Sequence, residues 1–188
     1  MGEIALAPIA PKRRSYMKAF KEKEMSLSLQ QLEDLEQIRR LKYAYCRCID
    51  TANIDELKGL FTEDASVCYV GGSYRFETEG RDKILEALRY AFHAEAIAMH
   101  HVNHPEIDLV SANEATGVWY LKDWFLDLKH KIITDGTALY RDTYVKQNGK
   151  WLIKRATYER IFEIVTPVTE TPNITAHMLA RTGAKQPG

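Results

Sequence analysis

The pattern of apolar residues changes along this chain near Ala94, and that change restricts the folds open to it. Before that point, apart from one short hairpin, apolar residues recur every three or four positions, which is typical of helices that pack one face on a core. After it, they follow the spacing of β-strands up to about residue 163. Helices followed by strands predict an α+β fold, with the helices on one face of a strongly curved antiparallel sheet. Such a sheet encloses a cone-shaped pocket.

Three helices are predicted before the change. The second begins after Asn53, a favourable N-cap, and the third runs from about Arg81 to Phe92. The first ends near Asp50 and is defined by the apolar stripe Leu29, Leu32, Leu35, Ile38, Leu41, Tyr45, Cys48 and Ile49.

The predicted strands fall into two groups. A hairpin joins residues 65–69 to residues 74–78 between the second and third helices. Asn148-Gly149 is a strong signal for a second hairpin. The later strands are predicted at about 96–104, 106–110, 115–128, 132–146 and 150–163.

The 188 residues, 45% of them apolar, indicate one domain large enough to enclose a small-molecule cavity. We predict that this domain spans residues 28–165. Residues 1–27 form an N-terminal extension that holds a basic cluster and a short helical piece at 16–23. Residues 166–188, which contain three prolines, form a largely irregular tail.

Charge and cysteine usage restrict the partners and the location. The chain carries 26 Lys and Arg against 26 Asp and Glu, which excludes the basic footprint of a nucleic-acid-binding protein. No stretch reaches the ~18 apolar residues that span a bilayer, so we expect no membrane association. Three cysteines, two of them in a helical Cys-x-Cys, argue against a disulfide framework and predict a cytoplasmic location.

Asp50 and His100 carry the main functional hypothesis. Asp50 ends the first predicted helix, and His100 lies in an otherwise apolar strand. A buried imidazole needs a partner that fixes its tautomer, and a carboxylate is the usual partner in a histidine general base. The pair predicts proton abstraction, whereas a hydrogen-bonded structural histidine is the alternative.

Asp123 is predicted on the same strand face as Trp119, Leu121 and Phe125. A carboxylate on an apolar face is costly unless it is paired or protonated. Asp123 is therefore either a site residue or an ordinary ion-pair residue.

Arg160 shares a strand face with Tyr158. Strict alternation from Trp151 and Ile153 places both on the opposite side from the core, unless a bulge intervenes. An inward arginine can hold an oxyanion or pair with an acid, and a solvated strand charge is the alternative.

His100, His101 and His104 resemble a set of metal ligands. Four strand residues span roughly 13 Å, and Pro105 bends the chain, so we expect no metal site there. Tyr45 and Tyr69 each offer a ring for a pocket wall and a hydroxyl for an oxygen atom.

Several strings in residues 29–163 resemble the SnoaL-like group of the nuclear-transport-factor-2-like superfamily, and within it the bacterial bile-acid 7α-dehydratases. They are Leu41-Lys-Tyr-Ala-Tyr45-Cys-Arg-Cys-Ile-Asp50-Thr, Tyr69-Val-Gly-Gly72, Ile97-Ala-Met-His100, His104-Pro-Glu-Ile107, Trp119-Tyr-Leu-Lys-Asp123 and Tyr158-Glu-Arg160-Ile-Phe-Glu163. The resemblance implies a cystatin-like α+β cone, a hydrophobic small-molecule substrate and no cofactor.

The resemblance also implies roles for individual residues. Tyr45 contacts the oxo group of the substrate, Asp50 supports the catalytic His100, and Asp123 is the second acid, which assists departure of a hydroxyl if it is protonated. The pocket residues it implies are Tyr69 and Arg160. Tyr158, which shares the strand face of Arg160, is also predicted to bind the substrate.

These observations predict a cofactor-independent dehydratase that acts on a hydrophobic cyclic oxo or enoyl compound. An isomerase or cyclase of the same fold, or a non-catalytic binding or assembly module, is the alternative. We also expect a homo-oligomer, because Tyr120, Trp124 and Tyr140 are predicted on the outer face of the sheet. The resemblance favours a trimer, and a dimer is the second choice.

Overall fold

The computed structural model describes residues 26–72, 74–170 and 172–185. The basic cluster and the helical piece predicted at residues 16–23 lie outside these ranges. The elements are α1 (Leu29–Asp50), α2 (Ile54–Lys58), β1 (Phe61–Val70), β2 (Arg75–Glu79), α3 (Arg81–Ala91), β3 (Ala96–Leu109), β4 (Glu114–Asp127), β5 (Ile132–Gln147), β6 (Lys150–Pro167) and α4 (Leu179–Thr182).

Helix α1 begins with a capping box. The Ser28 hydroxyl accepts a bond from the Gln31 backbone N–H, and the Gln31 side chain accepts one from the Ser28 N–H. The predicted stripe is correct from Ile38 onward, but Leu29 and Leu32 are 74% and 50% exposed. The first turns of α1 therefore project beyond the surface on which the rest of the helix packs.

Within the described residues, the sheet contains six strands in the order β2-β1-β6-β5-β4-β3. All neighbours are antiparallel except β1 and β6, which run parallel, so the sheet is mixed. This corrects the prediction of a purely antiparallel sheet. With the helices packed on it, the architecture is the predicted α+β cone.

Two local predictions for the strands differ in outcome. Asn148 and Gly149 both have positive φ, so the predicted β5–β6 hairpin turn is confirmed. The two strands predicted at 96–104 and 106–110 are one continuous strand, β3, with a register irregularity between Asn103 and Glu106. His104 has φ +49° there, next to the proline that cannot donate a ladder hydrogen bond.

A buried ion pair lies between α1 and the sheet. Lys42 Nζ is 2.7 Å from Asp142 Oδ2, and both side chains are 0% exposed. The Tyr144 hydroxyl donates to the same oxygen, and Trp119 Nε1 donates to Tyr144. Lys42 Nζ also lies 3.2 Å from the ring centroid of Tyr140. The core therefore contains a connected polar network directly behind the cavity wall.

The C-terminal segment packs against the domain. Leu179, in the single turn α4, is 2% exposed, and His177 Nε2 lies 2.8 Å from the Ala96 carbonyl oxygen. Ala184 pairs with His93 through an isolated bridge. The described part of the predicted irregular tail thus includes one helical turn and an anchor at the start of β3.

Candidate active site

Asp50 and His100 form a hydrogen-bonded pair. His100 Nδ1 lies 2.6 Å from Asp50 Oδ1, and the His100 backbone N–H donates to Asp50 Oδ2 over 2.9 Å. Asp50 is the last residue of α1, so the end of this helix brings its carboxylate to β3. The predicted contact is therefore present. With Nδ1 as the donor, the neutral ring keeps an unprotonated Nε2.

The ring of His100 is packed among aromatic side chains. Its side chain is 9% exposed, whereas that of Asp50 is 22% exposed. Phe92 meets the imidazole edge-on with 5.5 Å between centroids, and it contacts Phe125 at 6.0 Å. The imidazole thus lies in a mostly apolar setting, in which its electrostatic interaction with Asp50 is stronger than in water.

Asp123 lies directly opposite His100, since the two residues are register partners on β3 and β4. The same row continues to Gly136 on β5 and to Glu163 on β6. Opposed residues of an antiparallel pair have Cβ atoms about 4.5–5.5 Å apart. The predicted inward face of Asp123 is confirmed, because this residue is only 5% exposed. The sheet itself therefore places Asp123 beside His100.

Arg160 faces the cavity because β6 contains a bulge. The β5–β6 register skips Lys154, which returns Ala156 to the same buried face as Ile153. The bulge on which an inward Arg160 depends is thus present. A second register shift skips Ile161, immediately after Arg160.

Arg160 and Asp123 form a buried bidentate pair. Arg160 Nη1 donates to Asp123 Oδ1, and Nη2 donates to Oδ2 over 2.8 Å. The two side chains are 8% and 7% exposed. Burial acts to lower the pKa of Arg160, but the hydrogen bonds and the charge of Asp123 raise it above its usual value. Both oxygens of Asp123 therefore accept bonds from a fixed cation.

Four of the tyrosines that line the cavity contact one another in a row. The Tyr45 and Tyr69 hydroxyls are 2.9 Å apart, and the rings of Tyr69 and Tyr158 stack with 4.7 Å between centroids. The Tyr158 hydroxyl contacts that of Tyr74. Burial raises the pKa of both Tyr45 and Tyr69, so these phenols keep their protons. One hydroxyl donates to the other, and the accepting hydroxyl can donate its own proton to a substrate oxygen.

The cavity has a volume of about 670 Å³. That is within the range of pockets that enclose drug-sized ligands. Its lining brings together six of the seven predicted site residues: Tyr45, Tyr69, His100, Asp123, Tyr158 and Arg160. The seventh, Asp50, lies behind His100. The arrangement offers a base, hydroxyl donors and a buried ion pair around one apolar chamber.

Several residues at the site have no predicted role. Tyr74 and Phe92 line the cavity, and so does Tyr140, which is 2% exposed and not on the outer face as predicted. On β5, residues that face the core alternate with residues that face outward. Because one of the core-facing residues is the charged Asp142, this alternation is difficult to recognise in the sequence. Glu163 contacts Arg160, and no spacing rule indicates that contact.

The three neighbouring histidines do not converge. His101 and His104 are exposed, and the ring of His104 contacts Tyr120. Across the described residues, no three His, Cys, Asp or Glu side chains are grouped so that they could hold a metal ion.

No helix in the described ranges is both long enough and apolar enough to cross a membrane.

Solved structures with the same architecture include three from one bacterial genus. A candidate scytalone dehydratase from Novosphingobium aromaticivorans is 27% identical and covers 78% of this chain and 97% of its own, with a TM-score of 0.63. The hexachlorocyclohexane dehydrochlorinase LinA-type3 from Novosphingobium barchaimii is 16% identical, covers 79% of this chain and 99% of its own, and has a TM-score of 0.64. A candidate aromatic ring hydroxylase from N. aromaticivorans is 20% identical, covers 73% of this chain and 94% of its own, and also has a TM-score of 0.64.

The last two likenesses, at this level of identity, show the fold alone. The sequence pattern of the SnoaL-like domain matches residues 30–157, which is more than half of the chain. The protein therefore belongs to the SnoaL-like domain family, within the nuclear-transport-factor-2-like superfamily.

Proposed function

We propose that this protein is a cofactor-independent dehydratase that acts on a hydrophobic cyclic oxo or enoyl compound, steroid-like or aromatic. The observation that supports this most strongly is the Asp50–His100 pair, whose imidazole borders a large, mostly apolar cavity with buried tyrosine hydroxyls. The similarity to a candidate scytalone dehydratase supports the class of reaction, and so does the resemblance of several sequence strings to the bile-acid 7α-dehydratases.

In the proposed reaction, His100 Nε2 takes a proton from a carbon that a conjugated carbonyl makes acidic. The electron pair of that C–H bond moves onto the carbonyl oxygen, which Tyr45 stabilises by donating a hydrogen bond. When the carbonyl re-forms, a carbon–carbon double bond is created and the C–O bond to the hydroxyl group breaks. The leaving hydroxyl takes a proton and departs as water. Asp50 stabilises the imidazolium throughout.

The contacts of Asp123 bear on our proposal for the source of that last proton. We predict from the sequence that Asp123 assists departure of the hydroxyl if it is protonated, but both of its oxygens accept bonds from Arg160. We therefore assign the proton to the His100 imidazolium, which lies directly opposite Asp123 on the neighbouring strand. In this proposal the Asp123–Arg160 pair orients the leaving hydroxyl by hydrogen bonding.

Replacing Tyr45 by phenylalanine is expected to lower kcat by ~10²-fold, the usual cost of losing one oxyanion donor. The Tyr45 ring packs edge-on against Phe61 and Tyr140, so the fold should persist. Steady-state kinetics would measure the change, with Tyr120→Phe on the exposed outer face as the matched control. Equal turnover in Tyr45→Phe and wild type would remove Tyr45 from the mechanism.

The experiment that tests the proposed function is a screen of steroid and aromatic hydroxy-ketones. Loss of water next to a conjugated carbonyl extends the chromophore, so an absorbance change and a product lighter by one water are the expected results. A product of unchanged mass would instead indicate an isomerase or cyclase that uses the same base. Binding without any chemistry, in wild type and His100→Ala alike, would indicate a binding or assembly module.

We also propose that the protein forms a homo-oligomer, with a trimer as the first choice and a dimer as the second. Tyr120, Phe162 and Ile164 are 44%, 47% and 56% exposed, and exposed apolar patches usually mark an interface. Light scattering at micromolar concentration is expected to give a mass well above the 21.6 kDa of one chain. A monomer mass would contradict this proposal.

A cytoplasmic location is part of the proposal as well. Cys46, Cys48 and Cys68 are all unpaired and buried, which is the usual state of cysteines in a reducing compartment.

A further inference from the structure

Glu163 connects two parts of the cavity wall that are distant in sequence. Its Oε2 accepts a bond of 3.1 Å from Arg160 Nε, and its Oε1 accepts one of 3.1 Å from the Gly72 backbone N–H. The side chain is 7% exposed. Both carboxylate oxygens are thus committed to fixed donors, one on β6 and one in the connection after β1.

The guanidinium of Arg160 is held from two sides. Its two Nη atoms donate to Asp123, and its Nε donates to Glu163. Because Asp123 is on β4 and Arg160 is on β6, the arginine side chain has to cross the intervening strand β5. It crosses at Gly136, the register partner of both Asp123 and Glu163.

Gly136 provides the space for this crossing. A Cβ atom at that position would lie 3.0 Å from Arg160 Nη1 and 2.8 Å from the Phe162 carbonyl oxygen. The second of these distances involves backbone, which cannot move aside cheaply. Any side chain at position 136 would therefore push Arg160 or β6 away from Asp123.

The charges in this cluster show that Glu163 is more than a neutralising partner. Asp123 already compensates the charge of Arg160, so Glu163 adds a second carboxylate to a group whose three side chains are all at most 8% exposed. Burial of an extra carboxylate is costly unless hydrogen bonds compensate for it. Here the compensation comes from two directed donors, which fix the geometry of the group.

We infer that Glu163 is a positioning residue: together with Gly136 it fixes Arg160 in the orientation that pairs with Asp123 beside His100. Through Gly72 it joins this arrangement to the segment that carries Tyr74, whose hydroxyl contacts Tyr158 at the cavity wall. Its expected effect on turnover rests on the proposed function, but the positioning of Arg160 does not.

A glutamine at position 163 cannot accept hydrogen bonds from both of the donors that Glu163 satisfies. Its amide has one acceptor oxygen, and the two donors face different oxygens of Glu163, so only one of the two contacts can be kept. The nitrogen of the amide would then face a donor. Glu163→Gln keeps the size of the side chain and removes one of the two contacts, which makes it the informative substitution.

The Nε–H signal of Arg160 in a ¹H–¹⁵N NMR spectrum of the ligand-free protein tests the inference directly. In wild type we expect a slowly exchanging signal, identified by its loss in Arg160→Lys. In Glu163→Gln and in Gly136→Ala, the signal should move and exchange at least ~10-fold faster, because a buried hydrogen bond is weakened. Glu159→Gln, an exposed acid on the same strand, is the matched control and should leave the signal unchanged.

An Arg160 signal that stays at its wild-type position and exchange rate in Gly136→Ala or in a folded Glu163→Gln would overturn the inference. Should Glu163→Gln fail to fold, Glu163→Asp takes its place, since the shorter carboxylate cannot reach both donors and should shift the Arg160 signal in the same way. With an active substrate, both variants should lose at least ~10-fold in kcat. If wild type converts no hydroxy-ketone, the proposed function fails, and the NMR result still decides the role of Glu163.

Discussion

Alanine at position 100 is expected to remove nearly all turnover, because the only base of the proposed mechanism would be lost. General bases contribute ~10²- to 10⁴-fold, and the loss should appear in kcat. Phe92 and Phe125 remain to fill the surroundings of the imidazole, so the fold should be kept. Steady-state kinetics on a compound found by the screen would measure the effect.

The matched control is His101→Ala, since His101 is the exposed neighbour on the same strand. The kcat of His101→Ala should equal that of wild type. Turnover of His100→Ala within about threefold of wild type would make His100 structural and would contradict proton abstraction by this residue.

Asp50→Asn should also lower turnover, by at least ~10²-fold, although the imidazole itself is still present. The amide can still accept from the His100 backbone N–H, but its NH₂ group then faces Nδ1. The ring would respond by placing its proton on Nε2, the nitrogen that has to accept the substrate proton. The double variant should be no worse than His100→Ala alone, because both substitutions disable one unit.

The largest expected effect on stability concerns Lys42. Lys42→Met leaves Asp142 without its cation at a position that is 0% exposed, and removing one partner of a buried pair costs about 3–5 kcal/mol. Burial acts to raise the pKa of Asp142, and the charge of Lys42 is the largest influence that opposes it. Urea unfolding followed by tryptophan fluorescence would measure the loss.

Two variants make this result specific. The combined change Lys42→Met and Asp142→Leu should regain most of the stability, because two apolar side chains replace the pair. Lys122→Met breaks an ion pair whose side chains are both 44% exposed, and it should cost less than about 1 kcal/mol. If Lys42→Met were as stable as Lys122→Met, the buried pair would not stabilise the fold as described.

The Asp50–His100 contact could be predicted from the sequence because each residue has a recognisable place in a regular element. Asp50 ends a strongly amphipathic helix, and His100 follows four apolar residues, 96–99, at the start of its strand. The inward face of Asp123 follows from simple alternation for the same reason. In each case the local pattern and the tertiary structure agree.

Other parts of the site depend on features that local patterns do not contain. The orientation of Arg160 depends on a skipped residue, Lys154, which is defined only by how β6 pairs with β5. The inward position of Tyr140 is obscured by Asp142, whose charge is compensated by Lys42 from another element. The role of Gly136 becomes visible only when the path of Arg160 across the sheet is known.

The parallel pairing of β1 with β6 has a consequence for how the chain acquires its structure. Val67 has to find Ala156, and no hairpin connects the two strands. During synthesis, β1 and β2 leave the ribosome long before β6 exists, so the first strand waits with one edge open while most of the domain is made. Closing a loop of this length is slow compared with forming hairpins. We expect the β3–β6 meander to assemble first and docking of β1 to be the late step, which makes Phe61–Val70 the segment most exposed to mispairing in a nascent chain.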